Sequence, residues 1–361
     1  MSGLNELGIA IIGSGRIGSL RARLVKQHPS VRFLAVSDLD PTKADTLKDT
    51  VGADLASGSN AEIIARPEVN AVIVSSSEAE HTLPIRLALE LGKPVLVEKP
   101  IALTLKDADD TLETLSMTNG NLRIGYSRRF KEVFLRAKEQ IVQGRLGQVT
   151  GALGRVYNGQ SQAFAILQRD PHATPVIDVL TYYVDLINWF LEGNRPVEVV
   201  ARGYRKQGVF RNAGYDIDDV TWAIVTYEDG AVVNFGISYA LPRDYPSLGQ
   251  SDRVEVLGTE GVMLLDDDHT DQIMYTEKGF PHVYVPGHSV NMIFLGSSTP
   301  GDWALGSFWG PLATETRVWL DHIATGQPCA LATPAQARLN LETTIAIERA
   351  ARTGETVRLP L

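Results

Sequence analysis

A glycine-rich turn near the start of the chain constrains its fold more than any other feature. Residues 9–18 read Ile-Ala-Ile-Ile-Gly-Ser-Gly-Arg-Ile-Gly, and a second apolar run over 31–37 is followed by Asp38. A Gly-x-Gly-x-x-Gly turn between a strand and a helix, with an acidic residue about 20 positions further on, is typical of dinucleotide-binding Rossmann units. The sequence therefore predicts such a unit in the first part of the chain.

The glycines and the helix after them form the expected pyrophosphate site. Gly13 permits the tight turn, Gly15 lets the backbone approach the pyrophosphate, and Gly18 lets the helix pack close to the strand. The free N–H groups and the dipole at the start of that helix favour negative charge. The cofactor-binding residues expected in this turn are Gly13, Ser14, Gly15, Arg16, Ile17 and Gly18.

Asp38 stands at the end of the second predicted strand. A carboxylate at this place accepts hydrogen bonds from the adenosine ribose hydroxyls and repels a 2′-phosphate. We therefore expect NAD as the cofactor, with NADP disfavoured. The alternative for Asp38 is a turn or helix-cap role.

The order of predicted elements indicates two domains. Strands and helices alternate over residues 1–123, which predicts a parallel sheet covered on both faces. From about residue 147 the segments alternate in polarity, with a hairpin signal at Glu228-Asp-Gly230. The predicted fold class is α/β, with an N-terminal Rossmann domain over 1–123 and an α+β domain with a large, mostly antiparallel open sheet over 124–361.

Two further segments have clear local signals. A last helix is expected over 334–352, because Thr333 and Gln336 have the spacing of a capping box and Pro334 suits a first turn. Residues 285–312 are rich in Gly, Ser and Pro and are expected to form a long loop.

Polar residues follow the strands of the predicted parallel sheet. Ligands of such sheets bind at the carboxyl ends of the strands, so Ser75, Ser76 and Glu98 are expected to contact the cofactor. His81 is expected either beside the nicotinamide at the start of a helix or as a cap of that helix.

Lys99 ends an apolar strand, Val95-Leu-Val-Glu, and precedes Pro100. Lysine is seldom fully buried without a partner, and the proline holds Lys99 in an extended conformation. We therefore expect Lys99 to face the cofactor, the alternative being a lysine that extends to solvent.

Asp178 and Tyr182 are four residues apart in a predicted helix, so they share a face that Asp185 extends. On pattern alone, Tyr182 and Tyr183 fit a packed aromatic pair of the core. The pattern alone therefore assigns Tyr182 no catalytic role.

Composition excludes several classes of partner. The net charge of −9 argues against nucleic acid and against an anionic membrane surface. No apolar run is long enough to span a membrane, no basic stretch precedes a long apolar run, and Cys329 is the single cysteine, so we expect a cytoplasmic protein. The acidic run Asp266–Asp271 is expected to be a solvated loop, and no metal site is predicted.

Taken together, five motifs resemble those of the Gfo/Idh/MocA oxidoreductases, which include inositol dehydrogenases and glucose–fructose oxidoreductases. The resemblance covers nearly the whole chain, and the Glu-Lys-Pro motif is its most specific element. The motifs are Gly13-Ser-Gly-Arg-Ile-Gly18, Ser75-Ser-Ser-Glu-Ala-Glu-His81, Gly92-Lys-Pro-Val-Leu-Val-Glu-Lys-Pro100, Gly125-Tyr-Ser-Arg-Arg-Phe130 and Asp178-x3-Tyr182-x2-Asp185.

The resemblance implies hydride transfer between NAD(P) and a hydroxyl-bearing carbon of a sugar, cyclitol or related polyol. Lys99 matches the family's catalytic lysine, and Asp178 matches the aspartate that contacts substrate. Tyr182 falls where most members have the catalytic histidine and some have tyrosine. Tyr182 would then take the hydroxyl proton, with the Lys99 ammonium favouring its phenolate form.

Further substrate contacts are less specific. The resemblance implies that Arg129 reaches the substrate, and an ion pair that links the domains is an equal alternative. Tyr157 and Tyr239 are candidate walls of the substrate pocket. The chain departs from the family at Ser75-Ser-Ser77, where Thr-Pro-Asn is usual, and at Ala173-Thr-Pro175 and Leu180, where glycines are usual.

Other activities and assemblies stay open. A lyase or glycosidase that oxidises its substrate transiently with bound NAD would use the same residues, as would a dihydrodiol dehydrogenase, and a non-enzymatic NAD-binding regulator shares the fold. The open sheet of the second domain would expose an apolar face, so we expect a homodimer or homotetramer that covers it.

Overall fold

The computed structural model describes residues 6–169, 173–242, 244–245, 250–266, 273–281, 287–294 and 301–361. The strands in this part of the chain are β1 (Leu7–Ile12), β2 (Val31–Ser37), β3 (Leu55–Ser57), β4 (Ala71–Val74), β5 (Val95–Glu98), β6 (Leu122–Gly125), β7 (Val149–Gly159), β8 (Pro196–Tyr204), β9 (Val220–Tyr227), β10 (Val232–Leu241), β11 (Gln250–Gly258), β12 (Val262–Asp266), β13 (Ile273–Pro281), β14 (Ser289–Phe294), β15 (Asp302–Ala304), β16 (Ser307–Trp309) and β17 (Val357–Arg358).

The helices are α1 (Arg16–Lys26), α2 (Pro41–Val51), α3 (Asn60–Ala65), α4 (Thr82–Glu90), α5 (Leu105–Thr118), α6 (Glu132–Val142), α7 (Gln160–Arg169), α8 (Thr181–Phe190), α9 (Val209–Asn212), α10 (Pro311–Thr325) and α11 (Pro334–Thr353). Short 3-10 helices cover Glu78–Glu80 and Ser127–Phe130, and a π-helix covers Val176–Leu180.

Contacts within the chain group it into two units. The first unit comprises Met1–Phe130 with Trp303–Leu341, and the second comprises Lys131–Asp302 with Glu342–Leu361. The sequence predicts a division after residue 123, whereas the first unit extends to Phe130 and also includes a late segment. The physical reason is packing, because Trp319 and Leu320 of α10 belong to the same buried cluster as the strands of the first sheet.

The first unit contains the predicted parallel sheet, which is confirmed. Its strand order is β3-β2-β1-β4-β5-β6, and the pairs are parallel. Every residue of β1 and β4 is buried, as expected for strands covered by helices on both faces. The carboxyl ends of these strands carry the polar residues described below.

The second unit contains a seven-stranded sheet in the order β12-β11-β7-β10-β9-β8-β17. Its pairs are antiparallel except for β7 and β10, which run parallel. The predicted mostly antiparallel sheet is therefore confirmed. Alternate residues such as Val225 and Phe235 are buried on the inner face, against which α8 packs.

The other face of this sheet, the outer face, is open to solvent in the single chain. It carries partly exposed apolar side chains, because the residues that alternate with the core positions are themselves apolar. Among these side chains are Val200, Trp222, Ile224, Val232 and Leu257.

The last helix begins as its sequence predicts. Thr333 Oγ1 accepts the backbone N–H of Gln336, and Gln336 Oε1 accepts that of Thr333, at 3.3 and 3.1 Å. The expected loop over 285–312 is wrong for the described residues, since they include β14, which pairs antiparallel with β13, and the pair β15–β16. Such strands are stabilised mainly by pairing with a partner strand, and local composition does not show that pairing.

The predictions that the chain has no membrane span and no metal site can be compared only with the residues that the structure describes. None of the helices in the described ranges has both the length and the apolar character that a membrane span requires. The described residues also contain no cluster of three His, Cys, Asp or Glu side chains able to hold a metal ion. The acidic run Asp266–Asp271 lies outside the described residues from position 267 onward.

Candidate active site

The glycine turn after β1 leaves room for a dinucleotide. Gly13 has a φ of +97°, and a Cβ there would lie 2.6 Å from the backbone nitrogen of Ser76. A Cβ on Gly18 would lie 1.9 Å from the Gly13 carbonyl oxygen, so the helix could not pack as closely. Gly15, by contrast, faces open space within 4 Å, at the start of α1. This arrangement fits a pyrophosphate held on the N–H groups of α1.

Asp38 connects the glycine turn with the start of α2. Its Oδ2 accepts the N–H of Ser14 at 2.8 Å, and its Oδ1 accepts the N–H of Asp40 at 3.0 Å. An ionised carboxylate has about four acceptor positions, and these bonds use two. The half-buried Asp38 therefore keeps acceptor capacity for ribose hydroxyls while its orientation is fixed.

His81 joins the loops that follow β4 and β5. Its Nδ1 lies 2.9 Å from the carbonyl oxygen of Pro100, and its Nε2 lies 3.2 Å from that of Ser76. Burial lowers the pKa of this imidazole, which favours its neutral form. The ring thus positions these loops, and the alternative of a side-chain cap on α4 is not observed. Its contact with the cofactor stays a prediction.

Ser75 lies at the carboxyl end of β4, where its N–H donates to Ile12 at 2.7 Å. Its hydroxyl oxygen is buried and has no hydrogen-bond partner among the described residues. Buried hydroxyl groups are seldom unpaired, so Ser75 Oγ is a candidate hydrogen-bond partner for a ligand that reaches this edge of the sheet. The cofactor contacts predicted for Ser75 and Ser76 stay predictions.

Glu98 is held by an arginine that the sequence analysis missed. Its Oε1 accepts hydrogen bonds from Arg21 Nε at 2.9 Å and from Nη2 at 2.7 Å. The fully buried Arg21 also donates to Thr316 Oγ1 at 2.7 Å and pairs with Glu315 of α10. Burial lowers the pKa of Arg21, but the two carboxylates outweigh burial and raise it above its usual value. The signal in the sequence is the position of Arg21, three residues after Gly18 on the buried face of α1.

Lys99 directly follows Glu98 at the end of β5 and is half-buried. The bond between Glu98 and Arg21 therefore fixes the backbone that carries Lys99. Lys99 belongs to the first unit, and Asp178 and Tyr182 belong to the second. That these side chains act on one substrate stays a prediction.

Asp178 lies in a π-helical turn, which is often found at functional sites. Its N–H donates to the carbonyl oxygen of Thr174 at 2.9 Å. Its Oδ2 accepts the phenol O–H of Tyr239 at 2.7 Å, and both side chains are buried. A donor of this kind stabilises the ionised carboxylate and holds its orientation.

The pattern alone favours Tyr182 and Tyr183 as a packed aromatic pair of the core, but the two side chains differ in burial. Tyr183 is fully buried, and its phenol donates to Asp252. Tyr182, in the first turn of α8, is only partly buried and packs against the edge of the same core. Its accessible position is compatible with proton transfer, and its catalytic role stays a prediction.

The expected pocket residue Tyr157 lies on the outer face of the second sheet. Its ring is 4.6 Å from the guanidinium of Arg155, and the intervening Val156 is fully buried. Asp178 and Tyr239 lie on the buried side, so the structure separates Tyr157 from them. The substrate contact of Tyr157 stays a prediction that this orientation disfavours.

Asn158, the next residue of β7, is a polar residue that the sequence analysis missed. It is fully buried, and neither its Oδ1 nor its Nδ2 has a hydrogen-bond partner among the described residues. β7 pairs with β10 so that Tyr157 stands opposite Ser238, and Asn158 and Tyr239 each come one residue later. The signal was the alternation along β7, which puts Asn158 on the same face as Val156.

Arg129 is buried and donates to Gln336 Oε1 at 3.1 Å within the first unit. Gln336 also closes the capping box of α11, so Arg129 contacts the start of that helix. Neither of the two predicted roles, substrate contact or a domain-linking ion pair, is tested by this bond.

Comparison with known proteins identifies related sequences over both units. Residues 7–126 match the GFO/IDH/MocA oxidoreductase family with its NAD-binding Rossmann fold, and residues 134–264 match the GFO/IDH/MocA C-terminal domain. The scyllo-inositol 2-dehydrogenase (NAD(+)) of Bacillus subtilis is 24% identical over 367 residues, covering 98% of this chain and 97% of that protein.

Two further proteins are similar to the chain. The 2,7-anhydro-N-acetylneuraminate hydratase of Mediterraneibacter gnavus is 27% identical over 269 residues, covering 73% of this chain and 68% of that protein. The crystal structure of scyllo-inositol dehydrogenase from Lactobacillus casei with NAD(H) and scyllo-inositol superposes with a TM-score of 0.79 at 20% identity, covering 98% of this chain and 99% of that one. At this identity the structural similarity concerns the fold.

Proposed function

Because the chain belongs to the GFO/IDH/MocA oxidoreductase family, whose first domain is an NAD-binding Rossmann fold, we propose that it transfers a hydride between NAD and a CH–OH carbon of a sugar, cyclitol or related polyol. The observation that carries the proposal is the presence of buried polar side chains in the second unit. Asp178 is held by Tyr239, and Asn158 has an amide without a hydrogen-bond partner among the described residues. Such groups match a ligand with several neighbouring hydroxyls.

Each residue has a proposed chemical role. The nicotinamide, when bound, accepts or returns the hydride. Tyr182 takes the proton of the reacting hydroxyl as general base, and Lys99 donates a hydrogen bond to the developing alkoxide. Asp178 accepts a hydrogen bond from a neighbouring hydroxyl, and Asn158 orients another.

The first unit supplies the cofactor site of this proposal. Gly15 offers the open approach that the pyrophosphate needs, and Asp38 keeps acceptors for the ribose hydroxyls. A carboxylate at this place repels a 2′-phosphate, which supports NAD over NADP. Cofactor contacts of Ser75, Ser76, Glu98 and His81 are part of the proposal.

The test is NADH formation with a panel of inositols, aldoses and aromatic dihydrodiols, measured with the wild-type chain and with Lys99→Ala. A substrate should give steady NADH release, and Lys99→Ala should lower turnover by orders of magnitude while NAD still binds. Lys106→Ala is the matched control, because Lys106 is an exposed lysine of the same unit. Turnover of Lys99→Ala near the wild-type rate would refute the role of Lys99.

A second candidate function has one observation in its favour, the similarity to the hydratase. A lyase or hydratase that oxidises its substrate transiently would regenerate NAD within each turnover. Such an enzyme consumes substrate without accumulation of NADH, so product analysis beside the NADH assay separates the two activities.

We also propose a homodimer or homotetramer in which the copies cover the outer face of the second sheet. Contiguous exposed apolar surface of this kind usually marks an interface, and Ile224 lies within it. Ultracentrifugation should find an oligomer that Ile224→Lys dissociates, and a monomeric wild-type chain would refute the proposal. The expected cytoplasmic location also stays part of the proposal.

A further inference from the structure

Lys99 is the first residue after the paired part of β5. The strand ends at Glu98, which pairs with Gly125 of β6, so strand pairing does not fix the backbone of Lys99. The position of Lys99 therefore depends on what holds its two neighbours in the chain, Glu98 and Pro100. Both neighbours are bound by buried side chains from elsewhere in the first unit.

The neighbour on the C-terminal side is held by His81. The imidazole Nδ1 lies 2.9 Å from the Pro100 carbonyl oxygen, and the ring is 1% exposed. Pro100 is itself buried, and its ring fixes its φ. The backbone after Lys99 therefore cannot shift without breaking a buried hydrogen bond.

The neighbour on the N-terminal side is held by Arg21 of α1. Its Nε and Nη2 both donate to Glu98 Oε1, at 2.9 and 2.7 Å. The other bonds of the guanidinium go to α10, where Nη1 donates to Thr316 Oγ1 at 2.7 Å and Nη2 pairs with Glu315. Arg21 therefore connects Glu98, the residue before Lys99, to two helices of the first unit.

The sheet leaves room for this guanidinium at Gly125. A Cβ there would lie 3.1 Å from Arg21 Nη2 and 3.4 Å from Glu315 Oε2. Because Gly125 is the partner of Glu98 in the register of β5 and β6, a side chain at this position would crowd the ion cluster beside the end of β5.

Stability alone does not account for an arginine at this place. The other buried residues of α1 are Gly18, Ala22 and Val25, so Arg21 is the one charged residue on that face. Replacing a buried ion cluster by apolar residues is often neutral or stabilising, whereas charge-assisted hydrogen bonds fix the direction of a carboxylate. Arg21 is fully buried, so the guanidinium does not itself contact a ligand.

We propose that Arg21 is a positioning residue for Lys99, which acts through Glu98. This role rests on the proposed function, in which Lys99 donates to the developing alkoxide. Arg21→Lys keeps the charge, but its single nitrogen cannot replace the planar fork that reaches Glu98 and α10 together. The variant should lower kcat by about ten- to a hundredfold, because a small displacement of a reacting group has an effect of this size. KM for NAD should stay unchanged.

A second readout follows Lys99 directly. Acetic anhydride acetylates lysines, and peptide mass spectrometry gives the rate at each position in the full chain. Lys99, which is half-buried in the wild type, should be modified severalfold faster in Arg21→Lys. Lys106, whose side chain is 80% exposed, should react equally in both. This measurement needs neither NAD nor a polyol, so a wild-type chain that forms no NADH would refute the proposed function and leave the labelling to decide the role of Arg21.

The matched control is Leu47→Ala, a cavity-forming change at a residue of α2 that is 4% exposed in the same unit. It should lower stability and leave both kcat and the labelling of Lys99 as in the wild type. Glu315→Gln, which keeps an acceptor for Arg21 but loses the charge, takes the place of Arg21→Lys if that variant does not fold. A wild-type kcat, unchanged labelling of Lys99, or equal changes in Leu47→Ala would mean that Arg21 acts on stability alone and would overturn the proposal.

Discussion

The phenol of Tyr239 donates a hydrogen bond to Asp178 Oδ2 at 2.7 Å, with both side chains buried in the second unit. Asp178 thereby presents a fixed carboxylate from the π-helical turn, which directly precedes α8 and its residue Tyr182 in the chain. The carboxylate can then accept a hydrogen bond from a substrate hydroxyl without reorganising. The bond from Tyr239 therefore preorganises the proposed site.

Tyr239→Phe should lower the catalytic efficiency on a polyol. A hydrogen bond to a charged group contributes about 1.5–3 kcal/mol, which corresponds to a loss of roughly ten- to a hundredfold in kcat/KM. Steady-state kinetics measures it. Tyr227→Phe is the matched control, because the Tyr227 phenol donates to Asn188 at 2.7 Å in the same buried unit. Equal kinetic losses in the two variants would contradict a specific role for Tyr239.

Asn158→Leu should make the chain more stable and less active. Leucine has a similar size and removes two buried polar atoms that have no partner among the described residues, and each such atom costs about 1–3 kcal/mol. Urea denaturation should therefore show a gain of about 1 kcal/mol or more in the free energy of unfolding, while KM for the polyol rises.

The control for this prediction is Asn188→Leu, since Asn188 accepts the bond from Tyr227. That variant should lose stability. If Asn158→Leu also loses stability, the amide has a structural partner, and its proposed contact with substrate is wrong.

The difference between Tyr157 and Asn158 shows what the sequence could and could not predict. The parallel sheet and its glycine turn were predictable because the whole signal lies in short contiguous runs. In the second sheet, the face that a residue occupies depends on register, and a shift of one position moves every side chain to the other face. β7 pairs with β10 and β11, which come about 80 to 100 residues later. Its alternation therefore groups Asn158 with Val156 but does not show which of its two faces points inward.

Arg21 illustrates a second limit. Its position on the buried face of α1 was visible in the sequence, but its partners were not. Glu98 follows it by 77 residues and Glu315 by 294. Only the packing of α10 in the first unit brings these groups together.

Arg21→Met should strongly destabilise the chain. Removing the guanidinium leaves the carboxylates of Glu98 and Glu315 without their cation, and breaking a buried ion pair in this way costs about 3–5 kcal/mol. Urea denaturation measures the loss. Arg32→Met is the control, because Arg32 forms an exposed pair with Glu6, and exposed pairs contribute about 0–1 kcal/mol. A loss for Arg21→Met no larger than for Arg32→Met would mean that the cluster contributes little to folding.

Asp38→Asn should change the preference between the two nicotinamide cofactors. The amide can still accept the Ser14 N–H, but the charge that repels a 2′-phosphate is gone. Fluorescence titration should show weaker binding of NADH and tighter binding of NADPH, so that their affinity ratio shifts by about tenfold or more. Asp45→Asn, on the exposed side of α2, should leave this ratio unchanged. An unchanged ratio in Asp38→Asn would show that Asp38 is a turn residue.

The pH dependence of stability should contain a contribution from Glu348. Burial raises the pKa of this carboxyl above its usual value, although its bond from Thr174 and the charge of Arg352 act in the opposite direction. A group with a raised pKa in the folded state binds protons more strongly there than in the unfolded chain. Its stabilising contribution is therefore complete below pH 4.5, the unperturbed value, and is lost as the pH rises through the raised pKa.

Glu348→Gln should remove this component, because the amide keeps an acceptor for Thr174 but does not ionise. The free energy of unfolding of the variant, measured by urea denaturation from pH 4 to pH 8, should fall less with rising pH than that of the wild type. Glu355→Gln, an exposed residue of the same unit, should follow the wild-type profile. Identical pH profiles for wild type and Glu348→Gln would contradict the raised pKa.

The bond between Thr174 and Glu348 should also support the turn that carries Asp178, because Thr174 accepts the N–H groups of Ile177 and Asp178. Glu348→Leu, which loses this bond, should disturb the turn and lower kcat. Glu348→Gln, which keeps the bond, should retain the wild-type kcat.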